Sequence, residues 1–473
     1  MSGEYDLVII GFTPEGIYTA LNAVSLNARV ALVSQNCQGE NLALYRYSLR
    51  EIGRCYKEGK NAAQFAISGQ INEINLETEI ARRESAIATI AEQNSPAILS
   101  AAGVDFIEGM GEFCRRPQLA FIVAGRKLRS RSYIVAMGTR PRLPELKSLQ
   151  EVGYLTADLL WRSPTLQQLP QNLAILGNTF FALELAQSLV RLGKTITLAI
   201  DTRILPQEEP EAARLIQAQL EGEGIELLTD SPVTQVKKIP PKKWLQVGDR
   251  AIETDEIIWA AGCQWNLEGL NLEAFGIDPA SPNINPKLQT CNSQIYICGS
   301  IEDELKLSSR SQYESDIALH NALHFSTCKG DRDRLPHAVF TDPNLTRIGL
   351  TEERAKQKYG EKNIVVYHRY FKQVSLALLR EETTGFLKII LNRKGAILGA
   401  TIVGSQATEL INLLTLARQN QISIDRLAEL YPISPSFSEI IWQTARDWQR
   451  DRLTKNPSKN YIRHLWLTLC RRN

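Results

Sequence analysis

No short cysteine motif occurs anywhere in the chain. Eight cysteines are scattered over 473 residues, at Cys37, Cys55, Cys114, Cys263, Cys291, Cys298, Cys328 and Cys470, and none forms a C-x-x-C. This excludes a disulfide framework, and reads as reduced thiols of a cytoplasmic protein. Long apolar runs are lacking too, since none approaches the ~18 to 20 residues that a membrane helix needs. Charge of one sign is also missing. The net charge of +2 gives no push toward nucleic acid. Histidine is scarce, at five residues, and the one close pair, His320 and His324 in "HNALH", lacks the Glu of a zinc-protease helix. It is read as structural, with no metal site expected. The start, "MSGEYDLVIIG", has no basic leader and runs straight into a strand, so no signal peptide is expected.

What is there describes a globular chain: 44% hydrophobic, 22% charged, and long enough for two to four domains. Two stretches share one layout, "DLVIIGFTPEGIYTALNAVSLNARVALVS" and "NLAILGNTFFALELAQSLVRLGKTITLAID". Each reads as apolar strand, glycine turn, amphipathic helix and second apolar strand. That is a β-α-β unit of roughly 30 residues, the kind that feeds a parallel sheet. Gly11 and Gly16 fit the outer positions of a G-x-G-x-x-G turn, with Thr13 at the middle one. In the second unit Gly177 keeps the first position, while Thr179 and Ala182 take the others. One such match is weak, but two in strand–helix–strand context, about 165 residues apart, imply two dinucleotide-type domains.

Between and after them lie "RSYIVAMGTRPRLPEL", a strand ending at Gly138, its near-echo "DEIIWAAGCQWNLEGL" with Gly262, and the strand "QIYICGS" with Gly299 and Ser300. From Pro336 the texture changes to antiparallel strands plus helices, with a hairpin turn at Arg393–Gly395 and a helix from about Glu409 to Asn420. The last stretch, Arg446 to Asn473, holds eight Lys/Arg against two Asp. Its Tyr461, Ile462, Leu465, Trp466 and Leu469 recur at helical spacing, which fits docking on a protein partner or an anionic membrane surface, or packing on its own dimer.

Taken in order, these landmarks resemble the class I pyridine nucleotide-disulfide oxidoreductases: dihydrolipoamide dehydrogenase, glutathione reductase and mercuric reductase. The most specific matches are "YLTADLLW", "ILP", "FTDPNLTRIGLTEERA", "GATIVGSQATELI" and "SPSFSE". The resemblance runs to about Trp448. It implies an α/β fold with two Rossmann-like dinucleotide-binding domains, for FAD and NAD(P), plus a C-terminal α+β dimerisation domain, in a homodimer. The expected division is 1–145 and 255–334 for the FAD-binding and central parts, 146–254 for NAD(P), 335–445 for dimerisation, and 446–473 as a basic extension.

Carried over residue by residue, the resemblance is uneven. The family's redox pair, C-x4-C, corresponds to "QGENLALYRYSLR", where Asn41 and Arg46 stand at the cysteine positions. The family's H-P-x-x-S-E corresponds to "SPSFSE", so Ser434 replaces the general acid/base His while Glu439 remains. Both halves of the dithiol machinery are missing. The Lys–Glu pair beside the flavin corresponds to Arg50 and Glu184. For FAD the resemblance implies Gly11, Thr13, Gly16, Gly138, the "EGMGEF" turn with Gly111 and Glu112, and Gly299. Ser34 and Ser300 stand where acidic residues hold the ribose and ribityl hydroxyls. For NAD(P) it implies Gly177, Thr179, Ala182 and Gly262, with Asp201 as ribose acceptor, which favours NADH. A Thr hydroxyl at either turn is a candidate donor to a phosphate oxygen.

Three functions follow as expectations. The first is an FAD-dependent oxidoreductase passing electrons from NAD(P)H through flavin to a non-disulfide acceptor, with FAD held weakly. The second is a catalytically inactive homodimeric scaffold or regulator. The third is a nucleotide sensor that uses one half-site.

Overall fold

The structure is a computed structural model that describes residues 4–35, 42–60, 75–115, 117–160, 166–299 and 308–454, with 466, 468, 470 and 471. Cys37, Asn41, Ser300, Glu302 and Asp303, and in the basic extension Tyr461, Ile462, Leu465 and Leu469, lie outside the described residues. The chain divides into two compact units, Met1–Ile204 with Leu220–Asp331, and Leu205–Gln219 with Arg332–Asn473.

In the first unit, β1 (Tyr5–Ile10), α1 (Pro14–Ser25) and β2 (Val30–Ser34) form the first β-α-β unit. A helix α2 (Leu42–Lys60) follows, then β3 (Asp105–Glu108) and β4 (Ser130–Val135). The second unit of the same kind is β5 (Asn172–Leu176), α3 (Phe180–Arg191) and β6 (Thr195–Ala199). Then come β7 (Glu226–Leu228), β8 (Glu256–Trp259) and β9 (Ile295–Ile297). Two five-stranded sheets result, in the orders β9-β4-β1-β2-β3 and β7-β6-β5-β8 with the short strand Leu155–Thr156 at its edge. Every pairing in both is parallel. This is why "LVII" and "LAIL" are unbroken apolar runs, for a parallel sheet is covered on both faces. Leu7 to Ile10 and Leu173 to Leu176 are all buried.

The second unit is built on an antiparallel five-stranded sheet of β10 (His337–Val339), β11 (Asn344–Gly349), β12 (Ile364–Tyr370), β13 (Phe386–Asn392) and β14 (Ile397–Gly404), in the order β10-β11-β14-β13-β12. The β13–β14 hairpin turns where expected. The Asn392 carboxamide oxygen accepts from the Lys394 and Ala396 amides, both at 2.9 Å. Helices α4 (Ala407–Gln419) and α5 (Glu439–Thr454) bury Leu410, Leu414, Ile440 and Ile441 with the inner face of this sheet.

Leu205–Gln219 falls inside the stretch expected to belong to the NAD(P) domain, yet it packs in this second unit, and ion pairs explain why. Glu208 meets Arg347 at 2.8 Å and His337 at 2.7 Å. Lys388, with 3% of its side chain exposed, meets Glu209, Glu211 and Glu352 at 2.8, 2.6 and 2.7 Å. Burial works against a charged Glu208, but the charges of His337 and Arg347 outweigh it and hold its carboxyl down to about 2.

Among the described residues no helix is long and apolar enough to cross a membrane. Likewise no group of three or more His, Cys, Asp and Glu could hold a metal ion. His320 and His324 stack on each other along one helix, with ring centroids 5.1 Å apart.

Candidate functional site

The two glycine turns are near copies in backbone. Gly11 has φ +125°, and a Cβ there would stand 2.1 Å from the Ala136 carbonyl oxygen. Gly177 has φ +141°, and a Cβ there would stand 2.4 Å from the Ala260 carbonyl oxygen. Only glycine lets the turn cross the neighbouring strand so closely. At the third position a Cβ on Gly16 would press on Gly11, whereas the Cβ of Ala182 is accommodated and fully buried.

The threonines are the N-caps of α1 and α3. Thr13 Oγ1 accepts from the Gly16 amide at 3.2 Å and donates to the Ala136 carbonyl at 2.7 Å. Thr179 Oγ1 accepts from the Ala182 amide at 3.1 Å and donates to the Ala260 carbonyl at 2.7 Å. A carbonyl can only accept, so each hydroxyl's single proton is already used. The expectation that these threonines donate to a phosphate oxygen is therefore corrected: they cap the helix and tie it to the residue that follows the adjacent strand, β4 or β8.

Ser34 ends β2 and is buried beside Glu108. The next residue, Gln35, also buried, donates its amide to the Gly111 carbonyl at 2.7 Å. Glu112 is exposed. Gly138, at φ +65°, sits against Thr13, since a Cβ there would be 3.7 Å from the threonine methyl. Gly262, at φ +97°, accepts from the Arg142 amide through its carbonyl at 3.0 Å.

Asp201 is displaced from the position expected of it. The Gly11 amide donates to Val33 and the Gly177 amide to Ala199, at 2.9 and 3.1 Å. By that internal symmetry the counterpart of Ser34 is Ile200, which is fully buried. Asp201 lies one residue further on and is exposed. Strand-end side chains alternate in direction, so one residue of offset turns the carboxylate away from the equivalent place.

The cation expected at Glu184 is Arg50. In the structure Glu184 forms an ion pair with Arg46, Nη2 to Oε2 at 3.8 Å, both side chains nearly buried. The Arg46 guanidinium also covers the Phe181 ring, 4.2 Å from its centroid. Arg50 pairs with Glu51 at 3.1 Å and lies over Tyr47 at 4.3 Å. Positions 46 and 50 share a face of α2 one turn apart. Spacing lets either arginine face Glu184, and the packing of α2 on α3 brings Arg46 to it. Phe181 is thus packing under Arg46, while Phe180 is half-buried.

In the second unit Ser434 is exposed. Glu439 is buried and accepts from the Ser436 amide at 2.9 Å, capping its own helix.

Glu15 escaped the sequence reading. It is half-buried in the first turn of α1, and its carboxyl carbon is 3.9 Å from where a Cβ on Gly299 would be. The signal was legible as an acid two residues after Thr13. Gln35 carried no such signal.

Two parallel sheets in the first unit, each entered through a glycine turn and a capped helix, and an antiparallel sheet in the second unit define a two-dinucleotide-fold flavoprotein architecture. The chain belongs to the pyridine nucleotide-disulphide oxidoreductase family, matched over residues 5–315, and carries that family's dimerisation domain at 335–445. It is 27% identical over 463 residues to a mercuric reductase of Staphylococcus aureus, covering 95% of this chain and 83% of that one. It is 26% identical over 451 residues to a dihydrolipoyl dehydrogenase of Bacillus subtilis, covering 92% and 96%. Among solved structures, LpdA from Mycobacterium tuberculosis superposes with a TM-score of 0.83 at 22% identity, covering 93% of this chain and 99% of that one. The flavoprotein disulfide reductase RclA from Escherichia coli gives 0.79 at 21%, covering 93% and 99%. Members of the family bind FAD and NAD(P)H.

Proposed function

We propose that this chain is an FAD-dependent, NAD(P)H-oxidising homodimer that delivers electrons to an acceptor other than a disulfide, such as a quinone or a protein partner. The observation that carries this reading is Arg46. It stands at one of the family's two cysteine positions and is fixed there by Glu184 and the Phe181 ring. A guanidinium forms neither a thiolate nor a disulfide, so the dithiol route is closed. Ser434, at the place of the histidine, cannot trade protons unaided near neutral pH.

The backbone fits a dinucleotide. Gly11, Gly16, Gly138 and Gly299 line the carboxyl ends of β1, β4 and β9, where such cofactors lie in this fold, and would hold FAD. Gly177, Ala182 and Gly262 are the corresponding residues for NAD(P)H. The chemistry a bound flavin supplies is acceptance of a hydride and delivery of one or two electrons. The chain's own part is to fix Arg46 as a buried cation and to keep a thiol out of its place. The scattered cysteines, none in a C-x-x-C, favour a reducing, cytoplasmic setting.

The test is anaerobic mixing of the purified protein with added FAD and NADH, followed by a quinone or dye. Bleaching of the flavin absorbance and its recovery on adding acceptor are expected. Absence of bleaching at saturating FAD would favour the second reading, a redox-silent scaffold. That alternative draws on Thr13, Thr179 and Glu439, whose side chains each make a hydrogen bond within the subunit.

A further inference from the structure

We infer that Glu15 makes the flavin turn a low-affinity, exchangeable site, so that FAD enters and leaves as a co-substrate; this rests on the flavin reading above and specifies how the flavin is held. In a first β–α turn, the pyrophosphate of a dinucleotide lies against the helix N-terminus, where backbone amides and the helix dipole favour negative charge. In α1 that resource is largely spent. Pro14 has no N–H. The Gly16 amide is on Thr13 Oγ1 at 3.2 Å, and the Ile17 amide is on the Thr13 carbonyl at 2.9 Å. The Glu15 amide remains, and its own side chain brings the charge that the phosphate would bring.

The position of that side chain makes the conflict local. The Glu15 carboxylate reaches Gly299, after β9, so it lies across the carboxyl ends of the strands that frame the crevice. It is half-buried, where charges interact more strongly than in bulk water. Its charge adds to burial in pushing the thiol of Cys298, the residue before Gly299, far above its ordinary range. A carboxylate at a helix N-terminus is itself stabilising. An incoming pyrophosphate would therefore displace a favourable internal contact and face like charge. Ser34, uncharged and buried, offers the adenosine ribose no compensating carboxylate. The turn of α3 lacks this feature, for its first turn carries no acid and both Phe180 and Phe181 contribute an N–H.

The experiment is FAD titration of the full-length protein by flavin fluorescence quenching, comparing wild type with Glu15→Gln, which removes charge at constant size, and Glu15→Gly. Wild type should lose FAD on desalting. Both variants should bind FAD roughly tenfold tighter or more, with NADH affinity unchanged. The inference is overturned if wild type keeps stoichiometric FAD through gel filtration, if removing the charge leaves FAD affinity unchanged, or if no form takes up FAD. Turnover with a quinone is read separately at saturating FAD. Tighter FAD binding by the variants without turnover would sink the electron-transfer reading and leave the role of Glu15 standing.

Discussion

Thr13 and Thr179 do the same work in two turns of the first unit, each capping a helix and bonding to the carbonyl of an alanine just past the end of the adjacent strand. Two residues on, the turns part. Glu15 brings a carboxylate to the mouth of one, and Phe181 packs under Arg46 beside the other. The lesson is that a dinucleotide fingerprint is two things at once. Its glycines are demanded by the backbone crossing and persist with the fold. Its charge pattern is demanded by the ligand and can change with no loss of architecture.

The sharpest way to break that comparison is at the glycines. Gly11→Ala places a Cβ on the Ala136 carbonyl at a φ that L-residues avoid, and Gly177→Ala does the same at Ala260. Each should cost roughly 2 to 4 kcal/mol, read by urea unfolding. Equal losses mean equivalent turns, and wild-type stability in either variant would contradict the crossing described.

Acid separates the turns from the second unit, because hydroxyl–amide caps do not titrate. Glu208 has its carboxyl lowered from 4.5 to about 2, so its contribution is present above pH 4.5 and fades as pH falls toward 2. That contribution amounts to roughly 3 kcal/mol at most. Glu208→Gln should remove it, giving a variant whose melting temperature falls less between pH 5 and pH 3 than that of wild type. A parallel fall in both would refute the role given to Glu208.

The smallest effect tests the caps themselves. Thr13→Ala and Thr179→Ala should each cost about 1 kcal/mol, slightly more at Thr179, which is the more buried. Thr→Ser at either place should restore most of it. A Thr13→Ala protein with unchanged stability would mean that the hydroxyl is not a structural cap, and would return it to the phosphate.

Much of this protein was written in one dimension. The β-α-β units follow from unbroken apolar runs ending in Gly11 and Gly177, because a sheet covered on both faces needs such strands and the close crossing needs glycine. The departures from the family's dithiol motifs were equally plain, since Arg46 and Ser434 are read directly from the sequence. What stayed hidden depends on direction and register. Helical spacing fits both Arg46 and Arg50 to Glu184, and only the packing of α2 on α3 reveals the ion pair that Arg46 makes with it. One residue of offset at a strand end turns Asp201 outward and puts Ile200 in the equivalent place. Leu205–Gln219 joins the second unit because its three glutamates meet Arg347, His337 and Lys388, partners more than a hundred residues away. The sequence by itself determined the elements and the departures from the family's motifs, because both depend on residue type and local order. Only the tertiary structure decided where the threonine protons go and where Glu15 rests, because those depend on which carbonyl or glycine a distant strand brings within reach.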